Sequence, residues 1–279
     1  MSDKLEKLRL LAVDMDGTAL LPDARVTPST LEALRRVMDE GALVIPASGR
    51  VFGGIPQEIL GLGVPYAITA NGASVVETAT GKRVYERNIR HEDAMELLSY
   101  LLTENGQTYF QCEDRYYEDS RQARTAALIH PYMALAGLNR TGGQEDLLGF
   151  AGKQGNGIQK IGIMVFDEEA EARVLAYGTG LEQFHVMKTG HFSLEFNRRG
   201  TSKGNALEHL CGLLGVEAGQ VMAIGDNEND NSMLAFAGLG VAMGNAPEHV
   251  KAAADFVTKT NVEDGVAWAL GRFWSQAIQ

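Results

Sequence analysis

Cysteine is scarce in this chain: there are two in 279 residues, Cys112 and Cys211, far apart, with no CxxC pair and no paired histidine nearby. That excludes a disulfide framework and a cysteine-based metal site, and it suits two reduced, mostly buried thiols in a cytosolic protein. Long hydrophobic runs are also missing. The charged start, MSDKLEKLRLLAVD, has an apolar stretch too short for the core of a signal peptide. The longest uncharged stretch, 59–76, contains Gly61, Gly63, Pro65, Asn71 and Gly72, so it reads as loop and strand rather than a membrane span. The expectation is a soluble, cytoplasmic protein with no membrane partner. Positive charge is the third deficit: Lys+Arg 25 against Asp+Glu 36 gives a net charge of −11. The basic residues are scattered, with no cluster larger than an adjacent pair such as Arg35-Arg36 or Arg198-Arg199. Nucleic acid is therefore excluded as a partner, and an anionic ligand must be bound by local charges against the field of the whole molecule. Internal repeats and low-complexity tracts are absent.

What is present is an ordinary globular composition, 45% hydrophobic and 22% charged, which is too apolar for disorder. The length allows one large domain or two moderate ones. Residues 10–14 form an apolar run ending in Asp-Met-Asp-Gly-Thr, the pattern of a buried strand. A helix over about 27–39 follows, with Thr27 as N-cap, Pro28 at its first position and Gly41 just past its end. A strand over 42–47, another helical segment and a strand over 66–70 complete a βαβ pattern that implies a parallel sheet. Pro46 should end or bulge its strand, because it removes a ladder hydrogen bond. From 82 to 188 the texture changes. Helices are expected over 91–104 and 120–129, strands over 107–111, 158–166 and 181–187, and loops at Gly142-Gly143 and 152–157. After Arg199 the α/β pattern resumes with a helix over 202–214, a strand over 221–225, a helix from about Asn229 and a strand over 239–243.

Four short motifs fall where strands meet loops or helices, and ligands of open parallel sheets bind at the carboxyl ends of strands. Asp14 and Asp16, two apart on a strand, would share one side, and Gly17 lets the chain turn. The pair either forms a turn or binds a divalent cation through hard oxygens. Asp226 and Asp230 follow a second buried strand, as a polar helix start or as ligands. A calcium loop is excluded, because Glu228 and Asn231 stand where an EF-hand needs Asp or Asn and then Gly. Four carboxylates at strand ends repel one another unless a cation lies between them. Magnesium is the natural choice, since it takes one or two carboxylates plus a phosphate oxygen. Lys203 begins a helix, where ammonium and helix N-terminus together favour an anion, or it is simply solvated. Ser48-Gly49-Arg50 offers a hydroxyl and free backbone N–H groups that suit a phosphate oxygen. Asn71-Gly72 is a hairpin turn or part of the same site.

Taken together and in this order, Asp14-Met-Asp-Gly-Thr18, Ala47-Ser-Gly-Arg50, Asn71-Gly-Ala, Ser202-Lys-Gly204 and Gly225-Asp-Asn-Glu-Asn-Asp230, with Val241-Ala-Met-Gly-Asn-Ala behind them, resemble the haloacid dehalogenase superfamily, in particular its Cof-type sugar-phosphatase-like branch. The resemblance covers the whole chain. It implies a Rossmann-like α/β core over 1–81 and 189–279 with a smaller α+β cap inserted at 82–188, after the second motif, that sets substrate specificity. It further implies Asp14 as the nucleophile that forms an aspartyl-phosphate, and Asp16 as general acid and then base. Ser48 and Lys203 would hold the phosphoryl group, with Gly49, Arg50 and Asn71 lining it. Mg²⁺ would be bound by Asp226, Asp14 and the backbone carbonyl of Asp16, and Asp230 and Asn229 would support it or contact phosphate. The implied reaction is hydrolysis of a small phosphorylated metabolite, a sugar phosphate first of all. A phosphomannomutase-like phosphosugar mutase is the alternative, and a phospho-accepting regulatory protein is a third reading. Pro46 and the Asn197-Arg-Arg-Gly approach to Lys203 depart from the usual pattern. His185 and His191 flank the cap edge, where they either touch substrate or are structural or solvated.

Overall fold

The computed structural model describes residues 8–121, 140–190 and 192–274. The chain divides into two compact units, one of 1–49, 55–85 and 202–279, the other of 50–54 and 86–201. The return to the first unit thus falls at 201/202, later than the 188/189 expected from spacing.

The first unit holds a sheet of eight strands among the described residues. Its strands are β1 (Leu10–Asp14), β2 (Leu43–Ala47), β3 (Tyr66–Thr69), β4 (Ser74–Glu77), β5 (Lys82–Glu86), β12 (Val221–Gly225), β13 (Leu239–Ala242) and β14 (Phe256–Val257). Their order is β14-β13-β12-β1-β2-β3-β4-β5. From β14 to β3 neighbours run parallel, and β3 and β4 form an antiparallel hairpin. β1 (LLAVD) and β12 (VMAIG) are buried throughout, as central parallel strands covered on both faces must be. The chain runs outward from β1 to β2 and β3, then comes back to the other side of β1 as β12 and runs outward again. The gap between β1 and β12 is therefore the topological switch point, where loops leaving the two carboxyl ends diverge and open a crevice.

Local signals behave as the sequence predicts along α-helix Pro28–Asp39: the Thr27 side chain accepts from the Thr30 N–H at 3.1 Å, and Gly41 takes φ +90°. Pro46 does not behave as expected. It neither ends nor bulges β2, pairing with Val13 while Ala47 pairs with Asp14 in unbroken register. On one face of the sheet Leu10, Ala12, Ile45 and Val221 pack in a core with Leu207, Leu210 and Leu234.

The second unit carries a sheet in the order β10-β11-β9-β6-β7-β8, made of β6 (Gly106–Cys112), β7 (Arg115–Asp119), β8 (Arg140–Gln144), β9 (Ile158–Val165), β10 (Phe184–Gly190) and β11 (Ser193–Arg198). Its pairings are antiparallel except β7 with β8. Helices His91–Leu101, Leu147–Ala151 and Glu168–Thr179 belong to this unit, and residues from all three join Phe110, Ile161, Ile163 and Phe196 in its core. Gly142-Gly143, expected in a loop, lies in β8 because the strand extends the sheet edge beside β7. The helix expected over 120–129 falls, from residue 122 on, outside the described residues. No helix among the described residues is long and apolar enough to cross a membrane.

Candidate active site

The motif residues of the first unit gather at the carboxyl ends of its strands. Asp14 closes β1 and Asp226 follows β12, while Lys203 opens the helix Lys203–Leu214 behind the N-cap Ser202, whose hydroxyl accepts from the Asn205 N–H at 3.1 Å. Lys203 is 0% exposed, and its Nζ donates to Asp14 Oδ1 and to Asp230 Oδ1, both at 2.6 Å. The other oxygen of Asp230 accepts the backbone N–H groups of Asp226 at 2.9 Å and Asn227 at 3.0 Å. Asp230 therefore aims the lysine and shapes the loop that presents Asp226. The Thr18 hydroxyl donates to Asp226 Oδ1 at 2.8 Å and orients the carboxylate from the other side.

Two glycines make this geometry possible. Gly17 takes φ +78°, and a β-carbon there would collide with the Asp226 carboxylate. Gly72 takes φ +93°, and its β-carbon would collide with the Ser202 carbonyl. The Asn71-Gly72 turn is the hairpin that the sequence suggests. It joins β3 to β4, and it places Asn71 Oδ1 where Asn229 Nδ2 donates to it at 3.2 Å. Ser48, directly after β2, is buried, and its backbone holds this corner: its N–H donates to the Ile68 carbonyl at 2.9 Å, and its carbonyl accepts the Asn71 N–H at 3.0 Å. Of the backbone N–H groups expected to be free in Ser48-Gly49-Arg50, that of Ser48 is thus engaged within the fold.

Charge is uneven here. Oxygens of Asp14, Asp226 and Asp230 lie within 4.8 Å of one another, around one ammonium. Burial first, then the Asp230 charge, raises the Asp14 carboxyl well above its ordinary range against the pull of Lys203. The same two causes push Asp226 up to about 6. Burial would lower the Lys203 pKa, but the Asp14 and Asp230 charges outweigh it and the ammonium is held. A hard divalent cation fits this set: three carboxylates crowd together, two resist ionisation, and all donors are oxygens. The four-carboxylate cluster needs correction, because the Asp16 carboxylate is not part of this group. β1 ends at Asp14 and the chain turns at Gly17, so the two-residue alternation of a strand no longer governs Asp16. Its backbone carbonyl is the expected ligand instead.

Arg50 belongs to the second unit, where its Nη1 donates to the Gly54 carbonyl at 2.9 Å; Gly49, on the other side of the division, stays with the first. His185 is exposed on β10 in register with Asn197, and His191 lies outside the described residues. Thr18 is a site residue that the motif reading leaves without a role. Its signal is its place two residues after Asp16 in Asp-Met-Asp-Gly-Thr, where a turn folds the hydroxyl back toward the next strand end.

The family model described as haloacid dehalogenase-like hydrolase matches residues 11–270. Phosphatase YwpJ of Bacillus subtilis strain 168 is 30% identical over 281 residues, covering 93% of this chain and 98% of its own length. From the same organism, 5-amino-6-(5-phospho-D-ribitylamino)uracil phosphatase YcsE is 28% identical, with 96% of each chain covered. The crystal structure of a haloacid dehalogenase-like hydrolase from Bacteroides thetaiotaomicron superposes with a TM-score of 0.81 at 27% identity, over 95% of this chain and 99% of the other.

Proposed function

The chain belongs to the haloacid dehalogenase-like hydrolase family as a phosphoric monoester hydrolase, and from that premise we propose that it cleaves small phosphorylated metabolites, sugar and sugar-alcohol phosphates first among them. The ester of a ribityl chain named for one relative supports that class. Selection among such substrates falls to the inserted second unit.

The observation that carries the reaction is the Lys203 ammonium on Asp14 at 2.6 Å, beside Asp226, at the switch point of the sheet. In the first step an Asp14 oxygen attacks phosphorus, the ester P–O bond breaks, and Asp16 gives its proton to the departing alkoxide. In the second, Asp16 takes a proton from water as the water oxygen attacks phosphorus. The P–O bond to Asp14 then breaks, its carboxylate is restored and inorganic phosphate leaves. Splitting the displacement in two eases each step. Lys203 and the Ser48 hydroxyl hold the transferring oxygens, and this preorganised charge supplies most of the remaining stabilisation. Asp14, Asp226 and the Asp16 carbonyl would hold Mg²⁺, which neutralises phosphoryl charge when bound.

Phosphate release from a panel of sugar phosphates, nucleotides, flavin mononucleotide and pyridoxal phosphate tests this, with magnesium or chelator, in wild type and Asp14→Asn. Release that needs both magnesium and Asp14 is expected, with the variant slower by about 10⁴-fold or more. Transfer to a second sugar hydroxyl without phosphate release would instead establish the mutase.

A further inference from the structure

We infer that Asn245 and Asn261 form a strap that sets where the Asp16 carboxylate points, acting as positioning residues for its proton transfers. The role presupposes Asp16 as the general acid proposed above. The turn carrying Asp16 is held from within by Thr18 on Asp226 at 2.8 Å. From outside, two of its carbonyls are gripped by side-chain amides. Asn245 Nδ2 donates to the carbonyl of Gly17, the residue after Asp16, at 2.8 Å. Asn261 Nδ2 donates to the Leu20 carbonyl, also at 2.8 Å. The two asparagines are themselves joined, because the Asn261 N–H donates to Asn245 Oδ1 at 2.9 Å.

The strap has a firm anchor. Thr260 and Glu263 cap each other's backbone, and Asp264 Oδ1 accepts the Thr27 hydroxyl at 2.6 Å. Gly244 donates its N–H to the Lys259 carbonyl at 2.9 Å, and a β-carbon there would stand 2.8 Å from the Thr260 nitrogen. Only glycine lets the two loops approach so closely. Asn245 is exposed, so packing does not explain it: both ends of its amide go to backbone groups of two segments distant in sequence. The peptides Gly17–Thr18 and Leu20–Leu21, which follow Asp16 in the turn, are thereby held by side chains outside it, and the general acid inherits its aim from them.

The test uses the dependence of the rate on the leaving group. An alkoxide leaves only with a proton, whereas p-nitrophenolate leaves as the anion. Asp16→Asn should lower kcat for glycerol 3-phosphate by about 10²–10⁴-fold more than for p-nitrophenyl phosphate. Asn245→Asp keeps the acceptor for Asn261 and loses the donor to Gly17. It should show the same imbalance at about 10-fold, in kcat rather than KM, with a melting temperature close to wild type. Equal losses on both substrates, or a change in KM alone, would overturn the strap. If Asn245→Asp does not fold, Asn261→Ala carries the same comparison, and the same two outcomes decide it. Equal losses in Asp16→Asn itself would overturn Asp16 as the acid, and the strap's role with it.

Discussion

Among the described residues each unit buries one lysine almost completely, and the two are surrounded differently. In the second unit Lys160 Nζ meets Glu195 Oε1 at 2.7 Å, and the same oxygen accepts the Tyr109 hydroxyl at 2.8 Å. Burial, then the Glu195 charge, keeps that phenol protonated. This is a pair on the polar face of an antiparallel sheet. In the first unit Lys203 bridges two carboxylates with a third beside them, at the end of a parallel sheet whose central strands are buried throughout. A sheet that alternates can place charge along its face; a sheet buried on both faces can place it only at strand ends. Surplus negative charge at such an end marks chemistry rather than folding.

Removing each lysine tests that contrast most severely. Lys203→Met should cut phosphate release by about 10²–10³-fold or more, and should lower unfolding stability in urea by about 3–5 kcal/mol, because two buried carboxylates lose their cation. Lys160→Met should cost stability too, about 2–3 kcal/mol since Tyr109 still donates to Glu195, without the loss of p-nitrophenyl phosphate cleavage that Lys203→Met suffers. If Lys160→Met abolished turnover while leaving stability intact, the contrast would be gone.

The pH dependence sets particular carboxyls of the two units apart in sign. Asp226, raised by burial and Asp230 to about 6, binds a proton more tightly folded than unfolded. Its contribution to stability is therefore present at low pH and lost as pH rises between the ordinary carboxylate range and about 6. Glu104, lowered by hydrogen bonds from Arg173, and Asp167, lowered by the Ala170 N–H and then Asn105, work the other way. Their contribution is present above the ordinary carboxylate range and lost as pH falls. With chelator present, urea titrations from pH 5 to 8 should show wild type losing more stability than Asp226→Asn as pH rises. Arg173→Ala should instead flatten the acid side, read by carrying the same titration below the ordinary carboxylate range. Smallest of all, Thr27→Ala removes the cap on Pro28–Asp39 and should cost about 1 kcal/mol by the same measurement.

The parts legible in the sequence are those with a single physical cause. β1 and β12 read at their observed limits because a fully buried parallel strand is an unbroken apolar run, and here an aspartate marks where each run stops. The helix Lys203–Leu214 reads through its cap. β7 (RYYED) and β11 (SLEFNR) do not, because half of an alternating strand is polar and short runs of this kind resemble loop. An unread β11 is what draws the expected end of the insertion too early. Helix Glu168–Thr179 has a clear start, with Asp167 accepting from the Ala170 N–H, but it follows β9 so closely that the strand's apolar run masks it. Among site residues, Asp14, Asp226, Asp230 and Lys203 come together as their motifs suggest. Arg50 cannot be placed by spacing alone, since the chain changes units directly after Gly49. Asn245 and Asn261 act through backbone carbonyls, which leave no trace in side-chain pattern.

The pairing of β1 with β12 joins Leu10 to Val221, with residues 86–201 of the other unit between them. On a ribosome adding about 5–20 residues per second, roughly 10 s or more pass between the emergence of Asp14 and that of Asp226. For most of that interval, once β2 has been made, β1 has β2 on one flank and an open edge on the other, while the insertion is made whole. The clustered carboxylates therefore meet only near the end of synthesis. A nascent chain stalled inside the insertion carries Asp14 without its neighbours Asp226 and Asp230 until the last strands arrive.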